Sequence, residues 1–410
     1  MVDELKQDLR QRMEKNLSEN ILSFWMKYTP DRKRGGFYGL VTNDLRVYKD
    51  APRAAVICGR ILWTFSAAYR RLGKPEYLDI AQHAFAYLTQ RFWDAEYGGV
   101  YWMLDCEGQV LNSRKQIYAQ AFALYGLSEY YRAVQAPAAL ALAQRLFHLV
   151  EEQSYDPRYG GYYEAYNRDW STLSDWRLSD KDLNSPKSMN TLLHILEAYS
   201  NLLRAWPDAQ LKQKQKHLIE VFLQHVIDPD RHHFKLFFTV DWKSLSDLIS
   251  FGHDIEGSWL LTEAAGLLGD PLLSAQVKTA AIQIAEAVYQ EGLDTDGSLL
   301  YEANPHRATL STSRVTNRDR HWWAQAEAVV GFYNAYQLTG DERYFQAARR
   351  AWDYIEERVI DHHYGEWYAQ LKRDGTPYSE QENPDQHKVG PWKCPYHNSR
   401  ACLEMMERIG

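Results

Sequence analysis

Polar side chains occur in pairs near the starts of several apolar, helix-like stretches of this 410-residue sequence. The two residues of each pair stand three or four positions apart, which places both on one face of a helix. The pairs are His253 with Glu256, Trp323 with Glu327, Asn190 with His194, and His397 with Arg400, and Arg60 adds a cation to another such stretch. Any one of them alone is explained as a core or capping residue. Ionisable groups are seldom buried without partners, so their recurrence on several helices favours one shared functional site.

The helices that carry these pairs alternate with a sequence unit that recurs six times, and this unit must position them. It starts with Asp, continues through glycine or small polar positions and ends in an aromatic strand, as in DRKRGGFYG from Asp31, DAEYGGVYW from Asp94 and DPRYGGYYE from Asp156. More divergent copies start at Asp228, Asp294 and Asp361. The copies follow at intervals of about 62 to 72 residues, which is too long for common two-helix repeats. The turns after them predict short β-hairpins.

Two kinds of helix alternate between these units. Stretches such as SMNTLLHILEAYSNLLRAW are apolar nearly all round, as buried helices are, whereas ERYFQAARRAWDYIEERV has one polar face. Six of each predict an all-α fold, an (α/α)6 barrel with short β-hairpins at its mouth. We expect residues 1–410 to form this one domain. The alternative is an open α-solenoid, but the last helix, Tyr396 to Ile409, resembles an inner helix more than a polar cap.

Composition excludes several classes of function. A net charge of −7 with interspersed signs offers no basic surface to a phosphate backbone, so no nucleic-acid partner is expected. No run reaches the roughly 20 apolar residues of a membrane span, and the N-terminus lacks the pattern of a secretory signal. The four cysteines lack CxxC spacing, which indicates reduced thiols and a cytoplasmic protein. The 14 Trp and 28 Tyr suit the apolar faces of sugars.

The sequence predicts neither a metal nor a cofactor. It contains no HExxH, no GxGxxG and no GxxxxGK(S/T) motif, which are the common signatures of zinc, dinucleotide and ATP sites. There are two pairs of neighbouring histidines: His232 with His233 at the glycine positions of one divergent repeat, and His362 with His363 directly after the aspartate of another. We predict that both pairs lie on the surface.

Long motifs across nearly the whole chain resemble those of the N-acylglucosamine 2-epimerase family, in particular its members that act on disaccharides. They are RILWTFSAAYR from Arg60, SMNTLLHILEAY from Ser188, SFGHDIEGSWLL from Ser250, RHWWAQAEAVVGF from Arg320 and PYHNSRACLE from Pro395. The resemblance implies an (α/α)6 barrel. It also implies an isomerase that needs no cofactor and inverts C2 of the reducing-end glucose of β-1,4-linked disaccharides such as cellobiose and lactose.

The resemblance also implies roles for individual residues. His253 and His397 are the catalytic pair, because an imidazole can both take and give a proton near neutral pH. Arg60 and His194 are expected to stabilise the enediolate, and Glu256 to orient His253 or to bind hydroxyls. The expected sugar-binding residues are Tyr118, Asn190, Trp259, Trp323, Glu327, Trp392 and Arg400. The polar segment from Glu302 to Arg320 is either a lid over the site or a surface loop.

Three other enzyme activities stay open at this point. An aldose–ketose isomerase, or a 2-epimerase of free mannose or N-acylglucosamine, needs almost the same residues. An (α/α)6 glycoside hydrolase would use two carboxylates, for which Glu256 and Glu327 are candidates, but it would leave the two histidines unexplained. A sugar-binding module without activity would be expected to have lost one of them. We expect a monomer or a weak homodimer.

Overall fold

The fold is two concentric rings of helices. The computed structural model describes residues 2–307, 314–383 and 386–410. Within these ranges six inner helices are α3 (Ala55–Leu72), α5 (Ile117–Val134), α7 (Met189–Ala205), α9 (Phe251–Leu268), α11 (Trp322–Thr339) and α13 (Tyr396–Ile409). The outer positions of the same ranges are taken by α1 (Val2–Lys15) with α2 (Ser23–Tyr28), α4 (Pro75–Tyr87), α6 (Pro137–Gln153), α8 (Ala209–Val221), α10 (Pro271–Glu291) and α12 (Glu342–Tyr354).

The inner ring is closed. Each inner helix packs against the next, and α13 packs against α3, which excludes the open solenoid. Each of α4, α6, α8, α10 and α12 packs against the inner helix that precedes it in the chain, and α1 packs against α13. The predicted (α/α)6 barrel is confirmed. Among the residues described, none of the helices combines the length and apolar character required to cross a bilayer.

Short antiparallel strands pair between neighbouring repeats. The strand pairs are β1 (Arg53–Ala54) with β2 (Met103–Leu104), β4 (Lys115–Gln116) with β5 (Ala165–Tyr166), β6 (Lys187–Ser188) with β7 (Phe237–Phe238), β8 (Ile249–Ser250) with β9 (Glu302–Ala303), and β11 (Arg320–His321) with β12 (Gln370–Leu371). Two further strands, β3 (Val110–Asn112) and β10 (Val315–Asn317), pair with β2 and β9. Five inner helices thus start directly after a strand that is paired across a repeat boundary.

The repeated aspartates hold these strands through buried ion pairs. The carboxylate of Asp94 lies 2.9 Å from Nζ of Lys115, and that of Asp156 lies 2.7 Å from Nζ of Lys187. Equivalent pairs join Asp31 to Arg53, Asp294 to Arg320 and Asp361 to Lys388. The fourth repeat differs, because Ile249 occupies the strand position that Lys115 and Lys187 occupy elsewhere. In five of the six repeats the aspartate therefore fixes the segment that leads into the next inner helix.

The outer helices begin with residue types that commonly stand at helix N-termini. Proline stands at the first position of α4, α6 and α10, where its missing N–H is not needed. The carboxylates of Asp208, Asp270 and Asp341 accept hydrogen bonds from backbone N–H groups of the first turns of α8, α10 and α12. These residues fix where the outer helices begin.

Replacing Asp156 with Asn should lower the free energy of unfolding by about 3 kcal/mol, because it leaves the ammonium of Lys187 buried without a carboxylate. Urea unfolding followed by circular dichroism measures the change. Asp228→Asn in the fourth repeat is the matched control and should cost less than about 1 kcal/mol. Equal losses in the two variants would contradict the structural role given to the buried pairs.

Candidate active site

The predicted site residues lie at one end of the inner ring. Every inner helix runs away from the strand-bearing end, so residues in the first turns of six helices face one another there. His194, His253, His397, Glu256 and Glu327 come from α7, α9, α11 and α13 and are connected by hydrogen bonds, ring contacts or electrostatic interactions. The structure therefore brings together the polar pairs found in the sequence.

Arg400 is the centre of a buried carboxylate cluster. Its Nη2 donates to Oε1 of Glu256 at 2.5 Å and to Oε1 of Glu327 at 2.7 Å. Its Nη1 donates to Glu197 and contacts the hydroxyl of Tyr396. Arg400 is 1% exposed. One guanidinium thus serves carboxylates from three different inner helices.

The two carboxyl groups that share Nη2 of Arg400 differ in their other partners. Glu327 also accepts from Nε1 of Trp259 at 3.0 Å and lies 2.7 Å from Nδ1 of His397. Oε2 of Glu256 has no hydrogen-bond partner among the residues described. Burial and the nearby Glu327 raise the pKa of Glu256 to about 8, and burial also raises the pKa of Glu327 against the effect of Arg400. We infer that Glu327, with its three donors, is the ionised member near pH 7.

His397 is held by a carboxylate. Its Nδ1 lies 2.7 Å from Oε1 of Glu327, so an ionised Glu327 keeps the imidazole proton on Nδ1. The other nitrogen, Nε2, then carries a lone pair. Burial, together with Arg60 and Arg400, holds the pKa of His397 well below its usual value. A neutral imidazole with a free lone pair is a general base.

His253 has a different partner. Its Nδ1 lies 2.8 Å from Oγ of Ser250, a hydroxyl that either donates or accepts. Burial lowers the pKa of His253 to about 3. The charged and titratable groups that act on it are His194 of α7 and Glu327 of α11.

Trp323 contacts both members of the predicted catalytic pair. Its ring centroid is 4.7 Å from that of His253 and 5.6 Å from that of His397. Because α11 packs between α9 and α13, the two imidazoles approach this tryptophan from different neighbouring helices. A sugar that stacks on Trp323 would therefore have both imidazoles close to it.

Arg60, Tyr118 and His194 line the other half of the pocket. Nη2 of Arg60 donates to the Tyr118 hydroxyl at 2.8 Å, and its guanidinium lies 4.2 Å from the Phe122 ring centroid. The His194 ring is 5.0 Å from Tyr118, and its Nδ1 lies 2.9 Å from Oε2 of Glu197. Burial lowers the pKa of His194. This half combines one cation with aromatic walls.

The remaining sugar-binding candidates lie around this pocket. Trp392 is 40% exposed, and its ring centroid is 6.2 Å from both Tyr118 and Trp102. Asn190 is the second residue of α7, and its buried Oδ1 has no hydrogen-bond partner in the part of the chain that the structure describes. Unpaired buried acceptors are uncommon, so this oxygen is suited to bind a sugar hydroxyl. Trp259 contacts Glu327 and Arg400 and therefore acts through them.

A possible metal site overlaps this cluster. Ligand atoms of Glu256, Glu327 and His397 lie within 4.8 Å of one another. The guanidinium of Arg400 contacts both carboxyl groups, so a cation already lies against the oxygens that a metal ion would use. The chemistry that we assign to the site therefore contains no metal.

Two predictions from the sequence concern residues around the active site: one is wrong, and the other falls partly on residues outside the described ranges. His233 is 2% exposed, and its Nδ1 lies 2.7 Å from Asp254 of α9, so its predicted surface position is wrong. His362 and His363 are exposed as predicted, and His232 is half-buried. The proposed lid from Glu302 to Arg320 includes residues 308–313, which lie outside the described residues.

Three neighbours of the predicted residues were missed in the sequence. Glu197 and Tyr396 contact Arg400, and Ser250 contacts His253. Glu197 stands three positions after His194, the same spacing that drew attention to His253 and Glu256. Tyr396 stands four positions before Arg400 and Ser250 three before His253, so the same spacing could have indicated all three residues.

The barrel and the histidine-rich pocket define a class of (α/α)6-barrel proteins, and comparisons with known proteins identify the family. The N-acylglucosamine 2-epimerase (GlcNAc 2-epimerase) family model matches residues 35–390. The chain is 46% identical over 398 residues to a cellobiose 2-epimerase of Bacteroides fragilis, covering 97% of this chain and 98% of that protein. It is 39% identical over 409 residues to one of Ruminococcus albus, covering 100% and 99%.

A solved structure supports the same assignment. The cellobiose 2-epimerase of Bacillus thermoamylovorans B4167 superposes with a TM-score of 0.91 at 41% identity, covering 98% of this chain and 100% of that one. This chain belongs to the N-acylglucosamine 2-epimerase family. An epimerase is an isomerase, so the family and the enzyme class predicted from the sequence are confirmed.

Replacing Gly252 with Ala should lower kcat/KM about 100-fold, because small displacements of a substrate-binding group have effects of this size. A Cβ at position 252 would lie 2.6 Å from Cη2 of Trp323 and 2.9 Å from Cβ of Ala324, so the indole must move. Steady-state kinetics with cellobiose measures the effect. Gly266→Ala on the same helix is the control, because a Cβ there meets nothing within 4 Å. Equal kinetics of the two variants would show that the position of Trp323 is unimportant.

Proposed function

We propose that this chain is a cellobiose 2-epimerase. It converts the reducing-end glucose of β-1,4-linked disaccharides to mannose, giving glucosylmannose from cellobiose and epilactose from lactose. The observation that carries the proposal is that His253 and His397, both neutral in the resting site, contact Trp323 from two different inner helices. Two relatives named cellobiose 2-epimerase, aligned over nearly their full lengths, support the same activity and substrate.

Epimerisation at C2 needs a base on one face of the open-chain sugar and an acid on the other. One imidazole removes the C2 proton through Nε2, and the electron pair of the C–H bond passes into the C1 carbonyl to give an enediolate. The other imidazole, which is neutral in the resting site, takes a proton from solvent when the negative enediolate stands beside it and gives this proton to C2 from the opposite face. The first imidazole returns its proton to solvent, so charge and protons balance over one turnover. The reverse reaction exchanges the two roles. Glu327 stabilises the charge that His397 gains when it takes the proton.

The enediolate requires a preorganised positive group, and Arg60 supplies it. Its side chain is 3% exposed and is fixed by the Tyr118 hydroxyl and the Phe122 ring. Fixed charges in a pocket with little water stabilise a developing anion more strongly than exposed ones do. Glu256, protonated near pH 7 when its pKa is about 8, can donate a hydrogen bond from Oε2 to a sugar oxygen.

The sugar rings are expected to stack on tryptophans. Trp323 lies beside the histidines and suits the reducing sugar, whereas the more exposed Trp392 suits the second sugar. Tyr118 and Asn190 provide hydroxyl and amide groups near them. We propose that all these residues act within one catalytic domain of residues 1–410. Cytoplasmic location, a monomer or weak homodimer, and independence of nucleic acid and cofactors stay predictions from the sequence.

Solvent deuterium tests the proton-transfer mechanism. The reaction is run with cellobiose in D2O, and the epimer is isolated and examined by NMR. We expect deuterium at C2, because the returned proton comes from an imidazole that exchanges with solvent. An epimer that keeps protium at C2 after a single turnover would indicate hydride transfer and contradict the mechanism.

A further inference from the structure

Glu197 lies one turn after His194 on α7, and its two carboxylate oxygens have different partners. Oε2 lies 2.9 Å from Nδ1 of His194. Oε1 accepts from Nη1 of Arg400 and from the hydroxyl of Tyr396. The residue is 3% exposed. Both oxygens are therefore engaged, and one of them faces a histidine of the active site.

Glu197 is ionised over the working pH range. Burial alone would raise its pKa, but Arg400 and His194 lower it to about 2. An ionised carboxylate only accepts hydrogen bonds, so the Nδ1 atom that faces it must carry the proton. Since burial lowers the pKa of His194 and keeps the imidazole neutral, Nε2 carries no proton.

We propose that Glu197 is a positioning residue, which holds the proton of His194 on Nδ1 so that Nε2 accepts a hydrogen bond from a hydroxyl of the reducing sugar. This inference rests on the proposed epimerase function. An acceptor at Nε2 polarises the O–H bond next to the carbon that loses its proton. Arg60 is then the group that donates to the enediolate oxygens, and the two halves of the pocket have complementary tasks.

The hydrogen-bond partners of the three histidines support this assignment of a fixed tautomer to His194. His194 and His397 each place Nδ1 against a carboxylate, Glu197 or Glu327, which fixes one neutral tautomer. His253 instead faces the hydroxyl of Ser250, which permits both tautomers. Arg400 bonds both of the carboxylates, so it couples the orientation of His194 to that of His397.

Tautomer measurement by NMR tests the proposal in the resting protein. Protein labelled with 15N-histidine is recorded near pH 7, and the His194 signals are assigned by their loss in His194→Gln. We expect His194 to be neutral with its proton on Nδ1. In Glu197→Gln the side-chain amide can donate to Nδ1, so the proton should move to Nε2 while His397 is unchanged. A wild-type His194 protonated on Nε2, or an unchanged tautomer in the variant, would overturn the proposal.

Kinetics gives the second readout. Glu197→Gln should lower kcat for cellobiose about 10- to 100-fold, the usual size for a residue that orients a catalytic group, with a smaller change in KM. The control is Glu164→Gln, because Glu164 is another buried carboxyl that bonds Ser188 and Thr191 at the start of the same helix. It should keep the wild-type tautomer and near wild-type kcat. If wild-type protein proves inactive on cellobiose, the proposed function fails, while the tautomer result still decides the role of Glu197.

Discussion

Replacing His397 with Ala should lower kcat for cellobiose epimerisation by about 10²- to 10⁴-fold, the usual contribution of a general acid–base group. His253→Ala should have an effect of the same size, because each imidazole serves one face of C2. Among the described hydrogen-bond partners of Glu327, Trp259 and Arg400 only donate, whereas the ring of His397 can both accept a proton and give one up. Steady-state kinetics, with circular dichroism to verify folding, measures the losses.

The control for these variants is His148→Ala on the outer helix α6, which should leave kcat unchanged. In the double variant of His253 and His397, kcat should fall at most about tenfold below that of the slower single variant, because the two groups act in one step. Wild-type turnover in either single variant would remove that histidine from the mechanism.

Replacing Arg400 with Met should lower the free energy of unfolding by about 3 to 5 kcal/mol, the usual cost of removing one partner of a buried ion pair. Arg400 contacts Glu197, Glu256 and Glu327, which are all buried. Without the guanidinium, these carboxyls must be protonated or unfavourably desolvated. Urea unfolding near pH 7 measures the loss, and activity should disappear with it.

Arg408→Met is the matched control, two turns further along α13. Arg408 is half-buried and has a single carboxylate partner, Glu404, beside Asn334 and Gln337, so its loss should cost only about 1 kcal/mol. An Arg400→Met protein as stable as this control would contradict the view that one cation holds the cluster together.

The barrel was predictable because its signals are local. The repeated aspartates and the alternation of buried and amphipathic helices are visible in the chain, and both helix rings follow from them. The pairing of each strand with a strand of the next repeat was not predicted, because it joins segments about 50 residues apart. Nor was the reason for the aspartates, since the cation that binds each one lies in a separate segment.

The candidate site was predictable to the extent that helix spacing shows it. Pairs such as His253 with Glu256 share a helix face, and resemblance supplied their roles. The links between helices were not visible: the sequence does not indicate that Arg400 reaches Glu197 or that Glu327 reaches His397. His233 was misplaced for the same reason, because its partner Asp254 lies on a different element.

Product analysis with cellobiose tests the central claim most directly. The purified protein is treated with EDTA, incubated with cellobiose at neutral pH without added cofactor, and the sugars are separated by chromatography. The account predicts a new disaccharide with mannose at its reducing end and no free glucose. Release of glucose, or unchanged cellobiose with conversion of free mannose or N-acetylglucosamine, would contradict it.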